Sequence, residues 1–253
     1  MVLSHLLDLV LPLECAACRR PGTRWCPRCA RALDALALAG PERPGAVRVR
    51  PDPVPTGLPP VHAWGAYSVP LSTAIRVWKD GGRRDLDVLL AGRLAVSIAA
   101  SLSAAERLRG WSSGPVLVVP APSSRASQRL RGDIPLEGVA RLVAAGGAPH
   151  RSRPLRVVPA LVHTRRVDDQ SGLGMLGRRA NVDGAMTVKS LCHNVVRGRR
   201  CILVDDVMTT GSTMAEASRA LREAGAADVL GATVAATRRR PVDHRTGGER
   251  GRV

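Results

Sequence analysis

Phenylalanine is absent from the 253 residues, and aromatic residues of every kind make up only 2% of them. The core must therefore be built from Leu, Val, Ala and Ile, which the hydrophobic content of 45% permits. The same scarcity leaves few flat stacking platforms, which weighs against single-stranded nucleic acid held in an aromatic-lined groove. No stretch approaches a transmembrane length. The opening segment 1–11 is apolar but has no basic lead-in, carries Asp8, and runs into cysteines instead of a small-residue cleavage site. It reads as a short amphipathic helix packed on the domain, not as a targeting signal.

Acidic residues are the minority charge. Basic residues number 38 against 21 acidic ones, giving a net charge of +17 and a sequence pI near 11.4. Such an excess favours polyanionic partners, because neutralised phosphates release condensed counterions. Most of the basic residues are arginine, as in Arg165-Arg166 and Arg238-Arg239-Arg240. Part of the excess lies in a tail, 239–253, expected to be disordered, and part is expected to line a site for a polyphosphate. DNA therefore stays open as a partner, and membrane insertion is not expected. A cytoplasmic location follows from the missing signal, with thiols reduced unless they hold a metal.

Composition divides the chain. Residues 1–39 hold four of the six cysteines. Residues 40–60 hold Pro41, Pro44, Pro51, Pro53, Pro55, Pro59 and Pro60, which rule out regular helix or central strand and predict a stiff extended linker. Residues 61–238 alternate strand-like and helix-like runs, the pattern of a parallel α/β sheet flanked by helices. Strands are expected at 62–69, 115–120, 155–162, 201–205 and 228–236. Helices are expected at 72–79, 86–107, 127–145, 171–180 and 213–224, the last stopped by Gly225.

The segment richest in chemistry is Asp205-Asp206-Val207-Met208-Thr209-Thr210-Gly211-Ser212-Thr213. A hydrophobic strand, Cys201-Ile202-Leu203-Val204, ends in two carboxylates, and a hydroxyl-rich turn then feeds a helix N-terminus. Free N–H groups of the first helical turn and the helix dipole make that terminus an anion site. Gly211 lets a phosphate approach the backbone, and Thr209, Thr210, Ser212 and Thr213 add donors. Two acids beside an anion cradle suit a phosphate carried by a sugar whose hydroxyls need acceptors. No Gly-Lys-Ser or Gly-Lys-Thr follows, so this is not a Walker loop. Upstream, Pro120-Ala121-Pro122-Ser123-Ser124-Arg125 ends a second buried strand in a tight turn that could present backbone N–H groups and Arg125 to a second anion.

The string 204–213 closely resembles the signature of type I phosphoribosyltransferases that binds 5-phosphoribosyl-1-pyrophosphate (PRPP). That resemblance implies a parallel sheet with a flexible hood. It implies Asp205 and Asp206 on the ribose hydroxyls, Thr209, Thr210, Gly211, Ser212 and Thr213 on the 5-phosphate, and Ser123, Ser124 and Arg125 near the pyrophosphate, with Mg²⁺ accompanying the ligand. The Pro-Ala-Pro turn, Arg131-Gly132, Gln170, Arg178 and Asn181 follow the order of the ComF (competence-associated, amidophosphoribosyltransferase-like) family. By that resemblance Gln170, Arg178 and Asn181 lie in or near the hood. The family's Arg-Gly-Phe-Asn-Gln element stands here as Arg131-Gly132-Asp133-Ile134-Pro135, without the aromatic and both amides.

Cys15-Ala16-Ala17-Cys18 and Cys26-Pro27-Arg28-Cys29 form paired C-x-x-C knuckles. Four thiolates at this spacing can close on Zn²⁺ and leave no open position, so the site is expected to be structural. The segment is too small for its own core, and metal binding would supply its folding free energy. The ComF-like resemblance includes this cluster and runs from about residue 11 to 238. The expected activity is transfer of a phosphoribosyl group to an acceptor the residues do not identify. The alternative is a non-catalytic PRPP-binding competence protein that assists DNA uptake, with DNA or a helicase as partner. Cys192 and Cys201 stand apart from the cluster.

Overall fold

A computed structural model describes residues 14–40, 45–109, 111, 114–122, 134–146, 154–164 and 185–237. Its centre is a six-stranded sheet in the order β1-β2-β8-β7-β3-β4. The strands are β1 (Val47–Val49), β2 (Val61–Ala66), β3 (Val116–Pro120), β4 (Leu155–Val157), β7 (Arg200–Met208) and β8 (Asp228–Ala236). All neighbours pair in parallel except β1, which runs antiparallel to β2 at the edge. A separate ribbon pairs β5 (Leu161–His163) with β6 (Met186–Val188).

The strands are apolar runs because both faces of the sheet are covered. Along β3, Val116 and Val118 enter one core while Leu117 and Val119 enter the other, and β7 alternates likewise with Ile202 and Val204 against Cys201 and Leu203. The first core is closed by helices α2 (Leu71–Lys79), α3 (Asp87–Arg109) and α4 (Pro135–Ala145). The second lies under α6 (Ser212–Glu223) and the β5–β6 ribbon, with the single turn α5 (His193–Val196) at its end. On α3, Leu90, Leu94, Ile98 and Leu102 recur every four residues and are fully buried. Between them Ser97 and Ser101 donate at 2.8 Å to the carbonyls of Thr233 and Gly231, fixing the helix against β8.

Several expectations change. The run 155–162 is not one strand: it leaves the main sheet after Val157 and joins the ribbon at Leu161. Pro159 lies between the two pieces and has no N–H to continue a ladder. The helix expected at 127–145 begins at Pro135, favoured at a first helical turn; 127–133, like the helix at 171–180, the N-terminal helix at 1–11 and the tail, lies outside the described residues. The core is not purely aliphatic, since Trp78 and Trp111 are among its largest fully buried side chains. Their indole N–H groups donate to Asp87 at 2.6 Å and Asp228 at 3.1 Å, which satisfies the one polar atom each ring carries. Contrary to expectation, Arg84–Leu108 is long and apolar enough to cross a membrane by length and composition, yet its apolar stripe packs on the sheet.

The N-terminal residues are stitched to the same sheet. The short helix α1 (Pro27–Asp34) sends Leu33 into the first core, and Leu36 and Leu38 pair with β2 through Ala66 N–H to Leu36 O and Leu38 N–H to Trp64 O, both 2.9 Å. Arg93 of α3 lies over the Trp64 ring at 5.2 Å and reaches Asp34 at 3.7 Å. Within the Pro-rich segment, β1 forms the sheet edge, and Pro60 O accepts from Gly231 N–H at 2.8 Å.

His62, 7% exposed on β2, bonds through Nδ1 to Ser101 Oγ at 3.0 Å. Burial, reinforced by the charges of Arg48 and Arg107, lowers its pKa from 6.5 to about 4. The unfolded chain therefore binds the proton first as pH falls, so this stability is intact above pH 6.5 and is lost toward pH 4. In urea titrations, wild type should lose about 3 kcal/mol relative to His62→Asn between pH 7 and pH 4, with a constant difference above pH 7.

Candidate functional site

The site forms where β7 emerges from between β3 and β8. Asp205 and Asp206 are adjacent on an extended strand, so their side chains leave on opposite faces. Asp205 shares the face of Leu203 and lies in register with Thr233 of β8. Asp206 shares the face of Val204 and meets α2, where Lys79 Nζ sits 2.7 Å from its Oδ2. The other oxygen of Asp206 accepts the Val207 N–H at 2.9 Å, and Asp205 Oδ1 accepts the Asp206 N–H at 2.9 Å. Both carboxyl groups are thus held by the backbone that follows them.

These contacts divide the charge unequally. Burial first, and then the neighbouring Asp206 carboxylate, push Asp205 well above the usual carboxylate range, while Lys79 offsets this only in part. Lys79 itself is raised: burial acts against its charge, but attraction to Asp206 outweighs that cost. Asp205 is therefore the carboxyl better suited to donate a hydrogen bond, and Asp206 to accept one.

Past Met208 the chain turns through Thr209 and Thr210 into α6. Gly211 caps that helix with φ +77°, a left-handed conformation that costs a side chain energy. Thr210 Oγ1 lies 3.1 Å from Ser212 Oγ, and the Thr209 carbonyl accepts from Thr237 Oγ1 at 3.4 Å. The first-turn N–H groups of α6 have no preceding carbonyl within the helix; that of Ser212 donates to Thr210 Oγ1 at 3.4 Å, and Thr213 lines the cleft. The Pro-rich segment supports the turn from behind. A Cβ on Gly211 would sit 3.1 Å from Leu58 and 3.2 Å from Pro51, and Arg222 of α6 donates to Gly57 O at 3.0 Å.

Between the turn and α2 lies an open cleft of about 570 Å³. Asp205, Asp206, Thr209 and Thr213 line it together with Tyr67, Arg76, Lys79 and His163. Its inner end runs beneath Ala121 and Pro122, the two residues after β3. Of the residues expected at the site, Asp205, Asp206, Thr209, Thr210, Gly211, Ser212 and Thr213 come together at the carboxyl end of β7, where parallel sheets bind ligands. Ser123, Ser124, Arg125, Gln170, Arg178 and Asn181 lie outside the described residues.

Lys79 was missed from the sequence. It is 127 residues from Asp206, so no local spacing links them. One compositional signal was present: it is one of only two lysines among 38 basic residues.

Residues 162–251 match the family model for the phosphoribosyl transferase domain. That match takes in β7, the two acids and the turn into α6. The chain is also 38% identical over 73 residues to a ribose-phosphate pyrophosphokinase from Hyphomonas neptunium, a stretch covering 29% of this chain and 23% of that one. It therefore spans about a quarter of that relative's length. Among solved structures, similarity extends to an allosteric regulatory enzyme of purine biosynthesis, 20% identical over 57% of this chain and 24% of that one, with a TM-score of 0.30. A hypoxanthine phosphoribosyl transferase from Trypanosoma cruzi is 12% identical, covering 60% of this chain and 67% of its own, with a TM-score of 0.34.

The cysteines form a second site. The Sγ atoms of Cys15, Cys18, Cys26 and Cys29 all lie within 4.8 Å of one another, and Cys18 and Cys26 approach to 3.6 Å. This group could hold a metal ion. N–H donors favour thiolates there: Cys26 caps α1 by accepting from Cys29 N–H at 3.5 Å, and the Cys26 N–H points at Cys15 Sγ, also at 3.5 Å. Cys15 is lowered to about 6, burial working against ionisation and the N–H groups of Cys18, Cys26 and Ala17 outweighing it. Cys201 is different: burial pushes its thiol up to about 12, consistent with a small apolar residue in the second core.

The raised pKa of Asp205 means that its contribution to stability is present below pH 3.8 and lost as pH rises toward its folded value. Asp205→Asn keeps the oxygen that accepts the Asp206 N–H and should raise stability at pH 7, measured by urea unfolding. The gain should vanish near pH 3; a loss at pH 7 would contradict the assigned charge distribution.

Proposed function

We propose that the cleft binds Mg²⁺-PRPP and that the protein transfers the phosphoribosyl group to an acceptor, releasing pyrophosphate. The observation that carries this reading is the meeting of an anion-binding helix N-terminus with a carboxylate pair at the end of one strand. The 5-phosphate lies on Thr209, Thr210, Gly211, Ser212 and Thr213. The ribose hydroxyls lie on Asp205 and Asp206, one able to donate and the other to accept. The pyrophosphate lies toward the turn after Pro122, where Ser123, Ser124 and Arg125 follow in sequence. By the resemblance, Gln170 and Arg178, outside the described residues, also take part in substrate binding.

In the reaction the bond from the anomeric carbon to pyrophosphate breaks, the leaving oxygen keeping the electron pair. An acceptor nucleophile forms the new bond and gives up its proton. Positive charge that develops on the sugar is stabilised by the carboxyl pair. Magnesium supplied with PRPP offsets charge on the leaving group.

The cysteine cluster suits structural zinc. Zinc–thiolate bonds of about 2.3 Å in a tetrahedron place sulfurs about 3.8 Å apart, close to the contact between Cys18 and Cys26. A four-cysteine knuckle preceding this type of domain supports placing the chain with the ComF family and in the cytoplasm. A second reading, a non-catalytic PRPP-binding competence protein working with DNA or a helicase, is favoured by the net charge of +17.

Calorimetric titration of PRPP with Mg²⁺ into wild type should give saturable binding that Asp206→Ala weakens at least about a hundredfold, through loss of its charged hydrogen bonds to hydroxyls. Unchanged affinity in the variant would reject the assignment. Binding without pyrophosphate release across amine acceptors would favour the second reading. Elemental analysis should find one zinc per chain, and Cys26→Ser should lower both zinc content and thermal midpoint. A folded, metal-free wild type would rule the zinc out.

A further inference from the structure

Lys79 ends α2 and places its ammonium against Asp206, whose side chain is 8% exposed while that of Lys79 is 44% exposed. The asymmetry matters. Asp206 is committed, one oxygen to Lys79 and the other to the Val207 N–H. The lysine lines both the outer cleft and its inner end beneath Ala121 and Pro122. The inner end is shaped by Trp78, Pro135 and Leu136, which restrict water around the ammonium on that side. Thr209 and Thr213, at the start of α6, line the same cleft together with the carboxyl pair. The cleft thus has two sources of positive character, the helix N-terminus after Gly211 and the Lys79 ammonium. Arg76, one turn earlier on α2, adds to the second.

We propose that Lys79 exchanges partners when ligand binds. In the empty cleft it neutralises Asp206; in the liganded cleft it turns to the diphosphate, leaving Asp206 Oδ2 to accept a sugar hydroxyl. The exchange is nearly balanced in charge, since one anionic partner replaces another for the same ammonium. A lysine suits this better than an arginine. Its ammonium is a compact point charge on a flexible stem, with three donors that can be redirected without holding a planar fork. This inference rests on the reading of the cleft as a PRPP site, and it adds a residue outside the β7–α6 segment to that site.

The test compares PRPP with ribose 5-phosphate, which has the sugar and the 5-phosphate but no diphosphate. Each is titrated with Mg²⁺ into wild type, Lys79→Met and Lys79→Arg. Lys79→Met should lose about tenfold or more in PRPP affinity while ribose 5-phosphate changes by less than about threefold, as expected for removal of one charge-assisted contact. Lys79→Arg, which keeps the charge, should recover part of the loss. Equal loss for both ligands would mean that Lys79 only shapes Asp206, and no loss for either would remove it from the site; both outcomes overturn the exchange. Because Lys79→Met leaves Asp206 without a counter-ion, Asp206→Asn and Asp206→Asn/Lys79→Met provide a second comparison. Inorganic pyrophosphate should bind the single variant and lose about tenfold in the double one; equal binding overturns the exchange. A wild type that binds neither PRPP nor ribose 5-phosphate would bring down the reading of the site itself, a result distinct from failure of the lysine alone.

Discussion

The cleft depends on β7 being held in parallel register between β3 and β8 through Val204, and against β8 alone from there to Met208. A strand paired on both sides cannot slide or twist independently, and a shift of one residue would exchange the faces of every side chain it carries. Pairing therefore decides that Asp206 points to α2 and Asp205 to the side of α6. It also delivers the turn after Met208 to one place at the carboxyl edge. Fully buried residues along Cys201–Val204 make that pairing strong, since no solvent competes for the ladder.

Two like charges at the end of such a strand would oppose folding if nothing answered them. The structure answers in two ways. Lys79 takes up Asp206 from a helix that belongs to a different part of the chain, and backbone N–H groups take one oxygen of each acid. Asp205, which forms no ion pair among the described residues, meets the remaining cost by moving toward its neutral form. A protein selected only for stability would have no reason to keep this pair. Strained or costly groups concentrated at one cleft are the physical trace of a binding site.

The regions that composition separates are physically continuous. Leu33 and Leu36 join the main core, residues 36–38 follow the β2 edge, and β1 completes the sheet. The Pro-rich segment does more than connect, because Pro51 and Leu58 close over Gly211 from behind. None of its prolines falls within β1 (Val47–Val49), so that strand keeps the N–H groups its ladder needs. The left-handed glycine that opens the anion cradle is thus supported by residues some 150 positions away in the chain.

Much of this was legible in the residue order. Apolar runs without polar alternation announced buried parallel strands, and β8 and the helix after Gly211 fall almost where their patterns place them. The two acids, the hydroxyls and Gly211 form a local string, so the chemistry of the cradle could be read before any fold was known. The paired C-x-x-C spacing likewise brought four sulfurs together, because the ligands of such a knuckle are close in sequence. Short-range pattern could not reveal which residues cross long stretches of chain to meet. The break between β4 and β5 depends on which sheet each half finds, and the burial of Trp78 and Trp111 depends on carboxylates that reach their N–H groups. Lys79 is the clearest case. The sequence determined that a carboxylate pair and a hydroxyl-rich turn would lie side by side; only tertiary structure decided which cation would face them, because a partner 127 residues away is selected by packing of α2 on the sheet and not by spacing along the chain.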